Sequence, residues 1–477
     1  MVSRGSAGGA AGLLLLLSLL AGCTSNPTPE PPGTSPPPDA SQPATSTSPA
    51  PSGQTTDPPS YTQPLVLAVH RSRSDLDVSE RLARRIARGA QTRWAQLDAG
   101  PGQVDVRRGA GSLQAAMSDP DVIAVVAASR VTPMVSTVSV GGVDPLRSPD
   151  TYPLTAPAAK EPAAPAEVTI VGDIMLGRRV GDSFASQRDP GAPLRPLQRR
   201  LARADLTVGN LESTLSSDGV PRQGDDSFAA DPEVLDPLDD AGFDVLSLAN
   251  NHTGDFGEHA FRQTLRRLDS SPIQPVGAGL DRERAWRPVV VCRAGVRFGL
   301  VAFNAIGETP AAGPRTPGAA QVRMQPRTGP LDASDLRRAT RAITSLEARA
   351  DVVIVLAHWG DQYTNQPVSD QRRVGGALLD AGADVVVGGH PHWVQGVQVH
   401  HGRLVVHSLG NFIFDMDFSR ETQEGVMLEA VFWGDEFKAV DFVPYVIGPG
   451  FAPRLVTGAH AMTVLDLITD ASDAPFD

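Results

Sequence analysis

Cysteine is nearly absent from this chain: 477 residues hold two, Cys23 and Cys292. Two thiols cannot build a disulfide framework, so an apolar core must hold the fold. Hydrophobic residues make up 41%, enough for a sizeable one. Basic charge is also in short supply. Lys and Arg number 42 against 54 Asp and Glu, a formal net charge of -12. A nucleic-acid groove needs a basic face, so this balance argues against nucleic acid as a partner. Anions held locally, at metals or helix N-termini, stay open. Membrane-length apolar runs are missing as well. The leucine-rich run 13–20, with Arg4 as the one charge before it, is too short to span a bilayer and reads as a secretory signal peptide.

That run ends Leu20-Ala21-Gly22-Cys23, which resembles a bacterial lipobox. The resemblance implies cleavage after residue 22 and lipidation of Cys23. The protein would then be anchored on the extracytoplasmic face of the bacterial plasma membrane. An ordinary secretory signal with an incidental cysteine is the plainer alternative. Cys292 lies in Val289-Val290-Val291-Cys292 and reads as a small buried hydrophobe in a strand.

Residues 23–63 are mainly Pro, Ser, Thr and Ala. Such a stretch buries too little surface to offset its ordering entropy and reads as a spacer. Residues 64–155 read as a small α/β domain, with strands at 65–70 and 121–128 and a helix at 79–90. Its opening Pro64-Leu65-Val66-Leu67-Ala68-Val69-His70 and its ending Gly142-Val143-Asp144-Pro145-Leu146-Arg147 resemble one lobe of a periplasmic-binding-type domain. A structural spacer domain is the alternative. A second Pro/Ala stretch, 156–166, reads as a linker to 167–477.

Beyond it, β-type runs at 168–171, 206–209, 245–249, 352–357 and 385–388 alternate with helical periodicity at 231–241, 257–268, 333–348 and 369–381. Paired runs at 396–400 with 404–408, and at 426–432 with 437–443, read as hairpins. The pattern predicts an α/β domain with mixed sheets.

Five of these runs end in polar residues: Gly172-Asp173, Asn210-Leu211-Glu212, Asn250-Asn251-His252, His358-Trp359-Gly360 and Gly389-His390-Pro391-His392. Ligands of α/β sheets collect at the carboxyl ends of strands. Carboxylate, amide and imidazole without thiolate suit manganese, iron or zinc better than calcium. Two such ions about 3.5–4 Å apart can share one carboxylate, and a nearby imidazole can hand a proton to a leaving oxygen. Singly, each motif has a bland reading: Gly-Asp is a common turn, Asn-His a common cap, and His358 alone would be a core histidine. His400 and His401 beside Gly402 read as an exposed hairpin turn, and His407 as core.

The order of these motifs, with Gly172-Asp173-Ile174-Met175-Leu176 at the start and Ser408-Leu409-Gly410-Asn411-Phe412 at the end, resembles the CapA family. These are capsule or poly-gamma-glutamate synthesis proteins with a calcineurin-like metallophosphoesterase fold. The resemblance implies a layered α/β/β/α sandwich holding one or two divalent transition-metal ions. Carried over by position, Asp173 and His392 would hold one ion, and Asn251, His358 and His390 the other. Glu212 would bridge them, and His252 would be the proton donor. Asn210, Asn250, Tyr363, Ser408 and Asn411 would support the site or touch substrate. Met175 stands where phosphoesterases carry a ligand histidine, which leaves one ion short of a ligand. Gln362 stands before Tyr363 where an acid is usual, with Asp361 as a substitute. The implied function is hydrolysis of a phosphoester, with an amide as second choice, in making, exporting or anchoring an anionic envelope polymer. The alternative is a non-catalytic metal- or polymer-binding accessory of a membrane synthase complex.

Overall fold

The structure is a computed structural model that describes residues 61–477. The expected signal segment, Cys23 and the expected spacer up to residue 60 lie outside the described residues. The described residues fall within one compact unit.

The first ninety-odd residues build a small mixed sheet. Strand β1 (Tyr61–Val69) is followed by α1 (Glu80–Ala87), β2 (Gln103–Arg108), α2 (Ser112–Ser118), β3 (Val122–Ala127) and β4 (Thr155–Ala158). Ser79 starts α1 by accepting the Leu82 N–H. Only β2 and β3, joined by α2, run parallel; β1 is antiparallel to both β3 and β4. Two boundaries move. β1 begins at Tyr61, inside the expected spacer, and β4 occupies the start of the expected 156–166 linker.

The larger part has two mixed sheets face to face. One contains β5 (Pro165–Ile174), β6 (Leu206–Leu211), β7 (Phe243–Ser247) and β8 (Gln274–Val276), all parallel. The other begins with β9 (Val289–Arg293) and β10 (Val296–Asn304), and continues with β11 (Val352–His358) and β12 (Val385–Gly389). Its last two strands are β13 (Val394–His400) and β14 (Arg403–Leu409). Its order is β9-β10-β11-β12-β14-β13. The first sheet is completed by β15 (Asn411–Ile413), β16 (Glu424–Trp433), the antiparallel partner of β16, β17 (Glu436–Ile447), and the edge strand β18 (Pro453–Leu455). The central strand β10 was not anticipated, and Cys292 at the end of β9 is half-buried rather than core.

Helices cover both outer faces. α3 (Arg178–Gln187), α4 (Leu235–Asp240) and α5 (Gly257–Asp269) pack on the first sheet through Phe184, Leu238 and Phe261. α6 (Ala333–Thr344) and α7 (Ser369–Asp380) pack on the second through Ile343, Val374 and Leu378. A third apolar layer, with Ile170, Val208, Leu300, Ile354 and Leu428, fills the space between the sheets. The architecture is therefore an α/β/β/α sandwich. β11 is buried along its whole length, as a strand covered on both faces must be. Asp332 fixes the start of α6 by accepting the N–H groups of Ser334 and Asp335.

The small sheet is not a bead on a linker. Trp433 of β16 sits in one apolar cluster with Val66, Ala68, Val126 and Val131. Its indole N–H donates to the Leu146 carbonyl at 2.8 Å. Arg147 joins Asp441 at 2.7 Å, and the buried Lys438 ammonium donates to the Ser129 carbonyl at 3.1 Å. Trp433→Ala is expected to lower the unfolding free energy by about 3–5 kcal/mol, read by urea titration. A change below about 1 kcal/mol would mean that the contact carries no stability.

Candidate metal centre

The expected donors come together because the carboxyl ends of two sheets meet. Asp173 is the penultimate residue of β5, and Glu212 follows β6. Residues 250–252 follow β7, His358 ends β11, and His390 follows β12. Two glycines let these ends close. A Cβ at Gly389 would lie 2.5 Å from Asp173 Oδ1, and one at Gly172 would lie 1.9 Å from the Gly410 carbonyl oxygen. His390 and His392, either side of Pro391, both take left-handed backbone conformations, with φ of 94° and 58°. Such conformations are costly for a side chain with a Cβ and persist where surroundings over-determine them. Here the His390 N–H donates to Asp173 Oδ2 at 3.0 Å, and the Tyr363 N–H donates to the Pro391 carbonyl at 2.9 Å.

All the donor residues are buried. Asp173 and Glu212 have no exposure, and Asn251, His358, His390 and His392 have at most 3%. Neither Glu212 oxygen and neither His390 ring nitrogen meets a hydrogen-bond partner. Buried polar atoms are almost always paired, so four orphans in one place need a cause. Donor atoms of Asp173, Glu212 and His358 lie within 4.8 Å of one another, and so do those of Glu212, His390 and His392. Glu212 belongs to both triads. Asn251 joins the first through its Oδ1, 2.8 Å from His358 Nε2. These triads group the residues differently from the expected assignment: Asp173 goes with His358, and His390 goes with His392.

Burial sets the electrostatics. It pushes Asp173 up to about 6, and it pushes Glu212 well above the usual carboxylate range, with the Asp173 charge adding to the effect. Burial holds His392 down at about 4 and His358 and His390 well below the ordinary histidine value, with neighbouring imidazoles contributing. Metal ligation needs carboxylates and neutral imidazoles; the imidazoles are already held neutral, and a bound cation would supply the positive charge that the two buried carboxyls lack when ionised. The residues present therefore fit one or two ions of the manganese, iron or zinc class.

Amides hold the donors in place. Asn210 Nδ2 donates to Asp173 Oδ1 at 2.8 Å and approaches His358 Nδ1 at 3.3 Å. Asn250 donates to Asn210 Oδ1 and to the Leu211 carbonyl, while its own oxygen accepts the N–H groups of His252 and Thr253. Asn411 Oδ1 lies 2.9 Å from His392 Nδ1, and Tyr445 donates to the Asn411 carbonyl. Tyr363 lies over His392 at the mouth, ring centroids 6.0 Å apart. Ser408 does not reach the site; its hydroxyl accepts the Gly410 N–H within its own turn.

His252 points at the site. Its Nε2 is 3.7 Å from Glu212 Oε1, and its Nδ1 is 2.8 Å from Asp255 Oδ2. Phe228 stacks on the ring at 3.8 Å. Asp255, Phe228 and Gln223, which donates to the Asn251 carbonyl, were not anticipated. Asp255 had a readable signal, an acid three residues after the histidine. Arg178 was missed too: its guanidinium lies 4.4 Å above the Phe228 ring and pairs with Asp226 and Asp415.

The structure also places three residues beside the donors. Met175 does not face His392. It is buried in the helix-side core, and its sulfur accepts the Gly177 N–H at 3.1 Å. Asp361 is exposed and caps the Gln362 N–H, whereas Gln362 Nε2 lies 3.3 Å from His392 Nε2. Trp359 packs in the core and donates to the His407 carbonyl.

The orphaned carboxylate yields a test. Because the fold disfavours ionised Glu212, the metal-free protein loses stability as pH rises through and above the unfolded-state value of 4.5. Glu212→Gln removes that loss. In chelator at pH 8 the variant is expected to melt higher than wild type, with the gap closing toward pH 4. Saturating manganese or zinc is expected to reverse the order, because the variant binds less metal.

Residues 167–416 match the family model described as bacterial capsule synthesis protein PGA_cap. The chain is 31% identical over 299 residues to the capsule biosynthesis protein CapA of Bacillus anthracis, covering 61% of this chain and 70% of that one. It is 30% identical over 265 residues to the PGA biosynthesis protein CapA of Bacillus subtilis (strain 168), covering 55% and 66%. A probable polyglutamine synthesis accessory protein of Mycobacterium tuberculosis is 27% identical over 219 residues, covering 45% and 56%. Among solved structures, a 5'-nucleotidase precursor from Thermus thermophilus aligns with a TM-score of 0.38 at 15% identity, over 63% of this chain and 57% of that one. The family match begins at β5 and takes in each strand end that carries a donor, and the chain belongs to the bacterial capsule synthesis protein family.

Proposed function

We propose that this chain is a metal-dependent hydrolase that acts on a phosphoester, or an amide, during the synthesis, export or anchoring of an anionic, poly-gamma-glutamate-like envelope polymer. Asp173, Asn251 and His358 would hold one ion, His390 and His392 a second, and Glu212 both. Bound there, a divalent ion supplies Lewis acidity toward a phosphoryl or carbonyl oxygen.

The chain's own chemistry centres on His252. Asp255 accepts the Nδ1 proton and so fixes the tautomer and plane of the ring. The protonated ring then presents Nε2–H toward the space beside Glu212, where it can pass its proton to a leaving oxygen. Phe228 keeps water off one ring face. Asn210 and Asn411 hold Asp173 and His392 in position. The observation that carries this reading is the buried His252–Asp255 pair aimed at a carboxylate shared by two donor triads.

Lipid anchoring through Cys23 would set the catalytic unit on the extracytoplasmic membrane face, beside a membrane synthase. Among the described residues no helix is long and apolar enough to cross a membrane. A non-catalytic accessory role is the second reading, favoured by the near-complete burial of the donors, which leaves a substrate little access.

His252→Ala is expected to lower turnover of a generic phosphodiester or of poly-gamma-glutamate by about 100- to 10,000-fold, with bound metal unchanged by elemental analysis. Asp255→Asn is expected to fall between that variant and wild type. His390→Ala with His392→Ala is expected to lose metal. A wild type that binds metal but turns over no phosphoester or amide selects the accessory role.

A further inference from the structure

We propose that Asp380, His400 and His401 form a second metal site, on the surface, for a borderline divalent ion such as zinc. It is separate from the donors around Glu212 and does not depend on the function proposed above. One donor atom from each of the three residues lies within 4.8 Å of the other two. His400 Nε2 is 2.8 Å from Asp380 Oδ1, and the two imidazole centroids are 4.3 Å apart at 61°. A tetrahedral zinc ion with bonds of about 2.0–2.1 Å needs donors about 3.4 Å apart. The donor atoms, all within 4.8 Å of one another, bracket that spacing. Two imidazoles and one carboxylate are a zinc-type donor set, and they leave the fourth position open to water or to a carboxylate of another molecule.

Two features of the backbone argue that this grouping is built rather than incidental. The first is the seat of His400. Its ring lies on α7 over Gly376, where a Cβ would come within 3.4 Å of Cε1 and 3.5 Å of Nδ1. A Cβ there would make only ordinary van der Waals contact, so the ring rests against the helix surface, aimed at the last residue of that helix. The second is the turn. β13 and β14 are joined by His401 and Gly402, with φ of 52° and 77°. A two-residue turn with both φ positive favours Asn-Gly, so histidine is not the turn's own best choice. It folds the second imidazole back over the first.

The surrounding charges allow a cation. Asp380 ends α7, at the negative end of the helix dipole. Arg403, on the same hairpin, is committed elsewhere: its guanidinium donates to the Leu379 and Ala383 carbonyls at 3.1 and 3.2 Å and faces Asp384. The site is open to solvent, with 28% of the His400 side chain and 60% of the Asp380 side chain exposed. Loading it therefore needs no local unfolding.

The plainer account is a His400–Asp380 ion pair that pins the hairpin to the helix, with no metal. Zinc titration of the chelator-stripped full chain separates the two. Wild type is expected to bind one more equivalent of zinc than His401→Asn, a substitution that suits the turn and leaves the ion pair intact. Asp380→Asn is expected to weaken that equivalent at least about tenfold. The equivalent is expected to survive in His390→Ala with His392→Ala, which removes the central donors. Equal zinc stoichiometry and affinity in wild type and His401→Asn overturns the proposal, as does loss of all zinc in the central double variant.

Discussion

A carboxylate with no donor governs this fold. Glu212 is fully buried at the junction of two sheets, and neither of its oxygens is hydrogen-bonded. A charge in that position is tolerable only opposite a positive one. The features around it converge on the same demand. Asp173 is raised by burial, the three imidazoles are held neutral, and Glu212 is shared by both donor triads. An ordinary core would place an apolar side chain there.

The rest of the sandwich supplies what the site costs. Three apolar layers, one between the sheets and one under each helical face, over-determine the strand ends. That is why His390 and His392 can sit at positive φ around Pro391, and why glycine at 172 and 389 can bring one sheet's end onto the other's. The amide chain from Asn250 through Asn210 to Asp173, and the one from Tyr445 through Asn411 to His392, carry that rigidity to the donors. Positioning within such a frame is where a metal centre acquires its geometry.

The residues that the structure brings together around Glu212 were legible in the sequence because each sits within a few residues of a strand end, and strand ends are readable from local pattern. Contributions that arrive on long loops were not. Phe228 and Gln223 reach His252 from a segment with no periodicity, and nothing local marks them. Met175 stands two residues after Asp173, but β5 ends at Ile174. The chain then turns Met175 into the helix-side core. The first unit misled through composition: Ala and Pro at 155–158 suggest a linker, yet proline is compatible with an edge strand, and that segment pairs with β1. Its docking on Trp433 depends on a contact across nearly 300 residues, beyond what periodicity can report.

The central proposal is that Glu212 would be shared by two bound cations. Anomalous diffraction from crystals of the full chain soaked in manganese tests it directly. The account predicts two anomalous peaks, one on each side of the Glu212 carboxylate, the first against Asp173 and His358 and the second against His390 and His392. A manganese-saturated crystal with no peak in contact with Glu212 would contradict it.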